Sequence, residues 1–396
     1  MLTVEEITKR FHAEQAHPIR PTKATDLPPT FESITPEWLT SVIGAQTPGA
    51  EVVSLQLGPV DDGTSNRRFI YMTWNDKGQA AGLPESVFCK GTLSLESRFI
   101  LGLNGGVKAE VNAYRVLLPK LGVIAPRPFH ANYDPETLNS IIVLENLASK
   151  VDFCTMATDL TYEQAQSQMR LLAELHGTFY ESKALRTDLN MFDAWEDFFF
   201  ITCDHLGWAD ASIKGFAAAK KVIPPRLFAR EAEIWPATVK AGRAHSTMPQ
   251  GMIHSDVHLK NWFITPKGEM GINDWQNCTR GNGSRDLAYC ISTGLTPEKR
   301  RLWEHDLIAY YLAQMEKFGA PRLDFDLTFK RYKQQLFLAL SWWSGTLGRP
   351  EGAPMMQPQE TSLEFIRRTT IAIDDLDALD SFDDGIELSG MAAHVN

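Results

Sequence analysis

The order of patterns along this chain predicts an α+β fold of two lobes, a small, mostly β lobe with one helix followed by a larger, mostly α lobe. Three observations carry that expectation. At 396 residues the chain is too long for one comfortable hydrophobic core. Strand-like apolar runs crowd the stretch before residue 147. Beyond it, apolar residues recur mainly at helical spacing. The expected boundaries are an arm over 1–30, a β-rich N-lobe over 31–147 and a helical C-lobe over 148–396.

The arm opens on a short amphipathic pattern and loosens into "HPIRPTKATDLPPT", whose four prolines mark a linker. "SITPEWLTSVIG" predicts a helix, with Thr35 as N-cap, Pro36 at the first helical position and Gly44 as the stop. Strand signals follow in "EVVSLQLGPV", in "RRFIYMTW" after the turn "DDGTSN", and in "SVFCKGTL". "GVKAEVNAYRVLLPKLG" is helical, with Val107, Glu110, Val111, Tyr114, Leu117 and Leu118 at helical spacing before Gly122. "NSIIVLENL" is a strand of the continuous, buried kind.

The second lobe begins with "TYEQAQSQMRLLAELHGTFYES". Thr161 and Gln164 suit a capping box, and Met169, Leu172, Leu175, His176 and Phe179 share one face. Residues 191–250 are aromatic-rich and helical in places. "MIHSDVHLKNWFI" then sets a polar loop between the short strands "GMI" and "WFI", with "EMGIND" after it. From about 286 to 380 the pattern is helical, ending in the acidic "IDDLDALDSFDDGIE". That run, 374–387, is expected to be a solvated helix face, with cation binding the alternative.

Composition narrows the function classes. A net charge of -10 argues against a nucleic-acid partner, which normally meets a basic face. No apolar run approaches the length of a membrane span, and the early acids of "MLTVEEITKRFHAEQ" leave no signal-peptide pattern. Five cysteines without C-x-x-C spacing predict free thiols in a reducing compartment. The expectation is a cytoplasmic protein with a small-molecule substrate, neither nucleic acid nor membrane; the oligomeric state is open.

The chemistry concentrates in "HSDVHLKN". Asp256 and Asn261 are five apart, and Asp274 lies in "INDWQ" at the end of the next apolar strand. Three oxygen-bearing side chains at strand ends suit a hard divalent cation together with one base. The spacing matches phosphoryl-transfer machinery, in which one Asp takes the acceptor's hydroxyl proton while Asn and a second Asp hold magnesium. A polar turn whose Asp and Asn cap backbone groups is the competing reading. Upstream parts favour chemistry: Lys90 ends the third strand, and Glu110 on the following helix is placed to pair with it, though either alone would pass for a surface charge. "VLENL" falls where an interlobe hinge belongs, offering the Glu145 carbonyl and the Leu147 N–H to an adenine edge.

The chain resembles the aminoglycoside phosphotransferase and choline-kinase-like superfamily, especially its ecdysteroid-kinase-like branch. "HSDVHLKN" is similar to that group's H-G-D-x-H-x-x-N loop and "INDWQ" to its I-D-F/W-Q motif, within a likeness covering about residues 34 to 290. The resemblance implies a bilobal protein-kinase-like fold, ATP and Mg2+ as cofactors, Asp256 as catalytic base, Asn261 and Asp274 as magnesium ligands, and a Lys90–Glu110 ion pair. His254 is expected to brace the loop, His176 to be a buried, hydrogen-bonded histidine, and Asp286 to cap a helix and order the metal loop. His258 stands where protein kinases carry Lys, and "NCTRGNGS" leaves no room for an activation segment. The phosphate-covering loop "GPVDDGTSNRR" departs from G-x-G-x-x-G, so the backbone of Thr64, Ser65 and Asn66, helped by their side chains, is expected to cradle the phosphates, with Asp61 and Asp62 turned outward.

The substrate cap is expected in 191–250, where "MFDAWEDFFFITCDHLGW" is dense in aromatics, joined by Trp342 and Trp343. An aromatic-lined pocket suits a hydroxyl on a bulky apolar molecule, sterol-like or phenolic. An aminoglycoside, a hydroxyacyl thioester and a non-catalytic nucleotide-binding scaffold are the alternatives.

Overall fold

The computed structural model describes residues 2–102, 104–349 and 356–382. Its N-lobe is built on a five-stranded antiparallel sheet in the order β1-β2-β3-β5-β4. These strands are β1 (Val52–Leu57), β2 (Asn66–Trp74), β3 (Ser86–Gly91), β4 (Pro128–Tyr133) and β5 (Ser140–Glu145). β4 has no counterpart among the expected strands. Its sequence, "PFHANY", starts on proline, lacks a β-branched residue, and gains its strand from pairing with the buried β5.

Period-two alternation divides the sheet's two faces. Ile70, Met72, Val87, Cys89, Ile141 and Val143 turn one way, into a core closed by Trp38, Trp74, Phe31 and Ile34. Arg67, Phe69, Phe88 and Lys90 share the other face, since Arg67 pairs across from Lys90 and Phe69 from Phe88. The helix α1 (Val4–Ala16) begins with a capping box at Thr3, and α2 (Pro36–Ile43) starts on Thr35 and Pro36 as expected. The arm is not a loose linker: Glu14 pairs with the buried Arg98 at 2.5 Å and accepts from Asn139 at 2.7 Å.

Between β2 and β3 lies α3 (Asp76–Ala80), and α4 (Leu95–Ser97) follows β3. The helix expected over "GVKAEVNAYRVLLPKLG" is not uniform. It is α-helical as α5 (Gly106–Asn112), widens to π geometry over Ala113–Leu117 and tightens to 3-10 over Leu118–Lys120, where Pro119 lacks a donor. Gly105 caps its start at φ 85, and a Cβ there would sit 2.7 Å from Asp193, so glycine is required twice over.

The C-lobe comprises the two-residue strand β6 (Asp152–Phe153) and the helices α6 (Tyr162–Thr178), α7 (Trp195–Leu206), α8 (Trp208–Ala218), α9 (Pro225–Phe228) and α10 (Glu231–Arg243). Short strands follow: β7 (Gly251–Ile253), β8 (Trp262–Ile264), β9 (Met270–Ile272) and β10 (Thr279–Gly281). The helices α11 (Ser284–Gly294), α12 (Pro297–Lys317), α13 (Phe325–Leu347) and α14 (Gln359–Asp375) complete the lobe. α13 runs through its middle and packs on α8, α10, α11 and α14. Its stretch Gln335–Ser344 is wholly buried, which explains an apolar pattern on every face rather than one stripe.

The acidic run is corrected by the structure. Asp374 and Asp377 grip Arg226 at 2.9 and 2.7 Å, Asp380 meets Arg230 at 2.8 Å, and Asp375 binds Arg300 and Arg301. These carboxylates hold the chain end to α9, the following Arg230 and α12, and so are neither a purely solvated face nor a vacant cation site. The part of the run beyond Phe382 lies outside the described residues. Among the described residues no helix is long and apolar enough to cross a membrane.

Candidate active site

The loop between β7 and β8 turns on Ser255, which takes a left-handed conformation (φ 67) where the similar motif has glycine. Such a backbone costs a non-glycine residue about 1–2 kcal/mol. The buried Asp286 offsets that cost: its carboxylate accepts the N–H groups of His254 and Ser255 at 2.7 and 2.9 Å and pairs with His176 at 3.1 Å. The Ser255 hydroxyl also meets Thr279 at 2.9 Å. Burial works to raise the Asp286 carboxyl, but the His176 hydrogen bond and the nearby positive groups, Arg285 among them, together hold it below its usual range. His176 is thus the buried, hydrogen-bonded histidine expected, and Asp286 orders the loop as expected but does not cap α11, whose N-cap Gly283 has no side-chain cap bond.

His254 ties the loop to the strand carrying Asp274. Its Nδ1 accepts the Asp256 N–H at 3.3 Å and its Nε2 donates to the Asn273 carbonyl at 3.0 Å, a pattern that requires the neutral ring. Burial, which lowers its pKa, keeps it neutral. The Asn261 amide donates to the Asp256 carbonyl at 2.7 Å, which leaves its oxygen as an acceptor for something else.

Lys90 reaches across from β3. Its ammonium lies 2.9 Å from Glu110, 2.7 Å from Asp274 and 3.4 Å from Gln276, so one cation joins the sheet, α5 and the end of β9. Burial works against the charge on Lys90, yet the carboxylates of Asp274 and Glu110 outweigh it and raise the amine's pKa. Asp274 feels the converse: burial would raise it, but Lys90 holds it low. Glu110, deeper, is pushed up by burial against the pull of Lys90. Asp256 has no cation in contact; burial, and then the nearby Asp274 charge, push its carboxyl up to about 6. His258 approaches Asp256 at 3.8 Å, but burial drives its pKa down to about 3, so it is a neutral neighbour.

These groups open onto one cavity of about 610 Å³. At one side lie Phe69, Phe88, Pro126, Leu144, Glu145, Leu147 and Phe153. From the C-lobe helices come Phe198, Thr202, Leu206, Trp208, Tyr289, Trp342, Trp343 and Thr346. The cavity thus gathers Asp256, Asn261, Asp274, Lys90, Glu110, Glu145 and Leu147. It does not include the other two expected contacts. Ser65 is buried away from it, and the Asn66 side-chain oxygen is occupied by the N–H groups of Leu93 and Ser94, both at 2.9 Å, and by Ser97. Instead Asp61, Gly63, Thr64 and Arg67 line the cavity, so Asp61 does not turn outward as expected but stands at the cavity paired with Arg67, while Asp62 is paired with Arg68. Strand alternation from Lys90 was the signal that could have identified Arg67. Gln276 ends the "INDWQ" motif, which was its signal, whereas Tyr289 had no comparable signal in the sequence.

The donor set is lean. No cluster of three or more His, Cys, Asp or Glu able to hold a metal occurs among the described residues. One carboxylate (Asp274) and one amide oxygen (Asn261) fit magnesium, which keeps several waters and takes further oxygens from phosphates, better than a cation needing a full protein cage.

The overall architecture has solved counterparts. Choline kinase from Cryptosporidium parvum Iowa II superposes with a TM-score of 0.50 at 10% identity, covering 82% of this chain and 90% of that one. Choline kinase LicA from Streptococcus pneumoniae gives 0.49 at 14% identity, over 87% of this chain and 99% of that one. A spectinomycin phosphotransferase solved with ADP and spectinomycin gives 0.48 at 15% identity, over 81% and 92%. At 10% identity the likeness to the Cryptosporidium parvum enzyme speaks for the bilobal fold alone. No curated protein matches the sequence. Residues 103–325, more than half of the chain, match the phosphotransferase enzyme family, and the chain belongs to that family.

Proposed function

We propose that this protein transfers the γ-phosphate of ATP, with Mg2+, to a hydroxyl of a bulky, mostly apolar small molecule. The observation that carries the reading is the convergence of Lys90, Glu110, Asp274, Asn261 and Asp256 on one cavity. In this reading Asp256 accepts the acceptor's hydroxyl proton. A carboxyl raised to about 6 by burial is a stronger base than a free aspartate and is still largely ionised at neutral pH. Lys90 exchanges its bond to Asp274 for a phosphate oxygen, while Glu110 keeps the ammonium aimed. Asp274 and the Asn261 oxygen then hold the metal, whose role is to neutralise charge on the phosphate oxygens. The hinge residues Glu145 and Leu147 offer backbone groups to the base.

The acceptor side supports the apolar choice. There Phe198, Thr202, Leu206, Trp208, Trp342, Trp343 and Thr346 of the C-lobe helices present rings, an aliphatic group and two threonines, beside the Tyr289 phenol. Asp193 and Glu196 of the cap are spent on Lys108 and Arg243, at 3.4 and 2.8 Å. A polycationic acceptor would lose hydration without a carboxylate to replace it. The H-x-D-x-H-x-x-N loop favours the ecdysteroid-kinase-like branch, and five free cysteines suit a reducing cytoplasm. Calorimetric titration with ATP, with and without magnesium, tests the nucleotide half. Tighter binding with magnesium in the wild type, lost in Asp274→Ala, is expected; equal affinity in both conditions would refute the metal role.

A further inference from the structure

Two cations at the mouth of the cavity have no part in the machinery described so far. Arg67, on β2, shares the face of Lys90 and lies directly across from it in the sheet. Lys260, beside Asn261 in the loop of the other lobe, lines the same cavity. We propose that Arg67 and Lys260 form a clamp from opposite lobes that holds the terminal phosphate of ATP. This rests on the phosphotransferase reading and adds two phosphate-binding residues to it.

The first argument is one of charge. Lys90, the buried cation that lines the cavity, is already shared by Glu110 and Asp274, and His258 stands neutral where a lysine would otherwise serve. A triphosphate entering there needs positive charge from elsewhere. The second is that Lys260 lacks an anion. It donates one hydrogen bond, to the Gln357 side-chain oxygen at 2.6 Å, and no carboxylate pairs with it among the described residues.

The third argument is the loop itself. Arg67 folds back on its own turn, donating to the Asp61 carbonyl at 2.9 Å and its carboxylate at 3.0 Å. Gly63 makes room for it: a Cβ there would lie 3.1 Å from a guanidinium nitrogen. Asp61 is mostly exposed, at 60%, so its hold on Arg67 is weak and readily exchanged for a phosphate. A loop poor in glycine cannot wrap phosphates in backbone N–H groups, and a guanidinium replaces them with two parallel donors.

The test compares magnesium-ATP with magnesium-ADP by calorimetry in the wild type and in Lys260→Met, Arg67→Met and Lys260→Arg. One lost charge-assisted hydrogen bond should weaken ATP about tenfold or more while ADP changes by less than about twofold. Lys260→Arg should restore ATP affinity to within about threefold of wild type. Equal weakening of ATP and ADP, or unchanged ATP affinity in both Met variants, would overturn the clamp and leave the phosphotransferase reading standing. A wild-type protein that binds neither nucleotide would overturn that reading, and the clamp with it.

Discussion

Replacing Lys90 by methionine keeps most of the side chain's volume and removes the one cation between Glu110 and Asp274. The Lys90 and Glu110 side chains are only 8% and 6% exposed, and the ion-pair distances are 2.9 and 2.7 Å. Breaking a buried pair by deleting one partner costs about 3–5 kcal/mol, because the carboxylates stay behind uncompensated. The loss should depend on pH, with a sign that follows from the shifts. In the wild type Asp274 is held below its ordinary value, so its contribution is present at neutral pH and fades as pH falls through the folded pKa. In the variant, burial without the cation raises both carboxyls. Each then costs stability above its unfolded pKa of about 4 and recovers it as protonation proceeds. Urea unfolding followed by tryptophan fluorescence should therefore show a large deficit near about pH 7.5 and a smaller one near about pH 5. A deficit below about 1 kcal/mol, or one of the same size at both values, would refute the buried-pair argument.

Asp256→Ala should slow phosphoryl transfer by about 10²–10⁴-fold while magnesium-ATP affinity stays near wild type; turnover within about threefold would remove Asp256 from the base role. Because the base must be ionised and burial sets its carboxyl near 6, wild-type kcat/KM should fall about tenfold per pH unit below about 6, and a flat profile down to about pH 4.5 would contradict the assignment. Asp286→Ala leaves the His254 and Ser255 N–H groups without their buried acceptor and His176 without its partner. It should lower stability by about 3–5 kcal/mol, measured by thermal denaturation, with a loss under about 1 kcal/mol counting against its bracing place.

Most of the architecture was legible because its signals are local. Thr35–Pro36 and the Thr161 capping box start helices where expected, and the β2, β3 and β5 runs form strands of the sheet that presents Lys90. β4 was not legible, since its pairing with β5 rather than its own residues makes it a strand. The loop residues Asp256 and Asn261 line one cavity with Asp274 because all three lie in the connections beside the short strands β7, β8 and β9, which motif spacing can encode. Ser65 and Asn66 were misplaced because a glycine-poor turn gives no sign of its direction; Asn66 is committed to the backbone of Leu93 and Ser94, contacts 27 and 28 residues away in sequence. The acidic stretch misled for the same reason. Its partners Arg226, Arg230, Arg300 and Arg301 are distant in sequence and are brought to it only by packing.

The central claim is that Asp256 drives phosphoryl transfer to a neutral, apolar alcohol in an aromatic pocket. Mass spectrometry of a panel of sterol-like alcohols, phenols and polycationic amino sugars, each incubated with protein and magnesium-ATP, tests it most directly. Burying a ring against Phe198, Trp208, Trp342 and Trp343 gains about 25 cal/mol per Å² of apolar area. The account predicts phosphorylated products from the hydrophobic hydroxyl compounds, formed at least about a hundredfold more slowly by Asp256→Ala under the same conditions. Efficient phosphorylation of the amino sugars with the apolar alcohols untouched would contradict it.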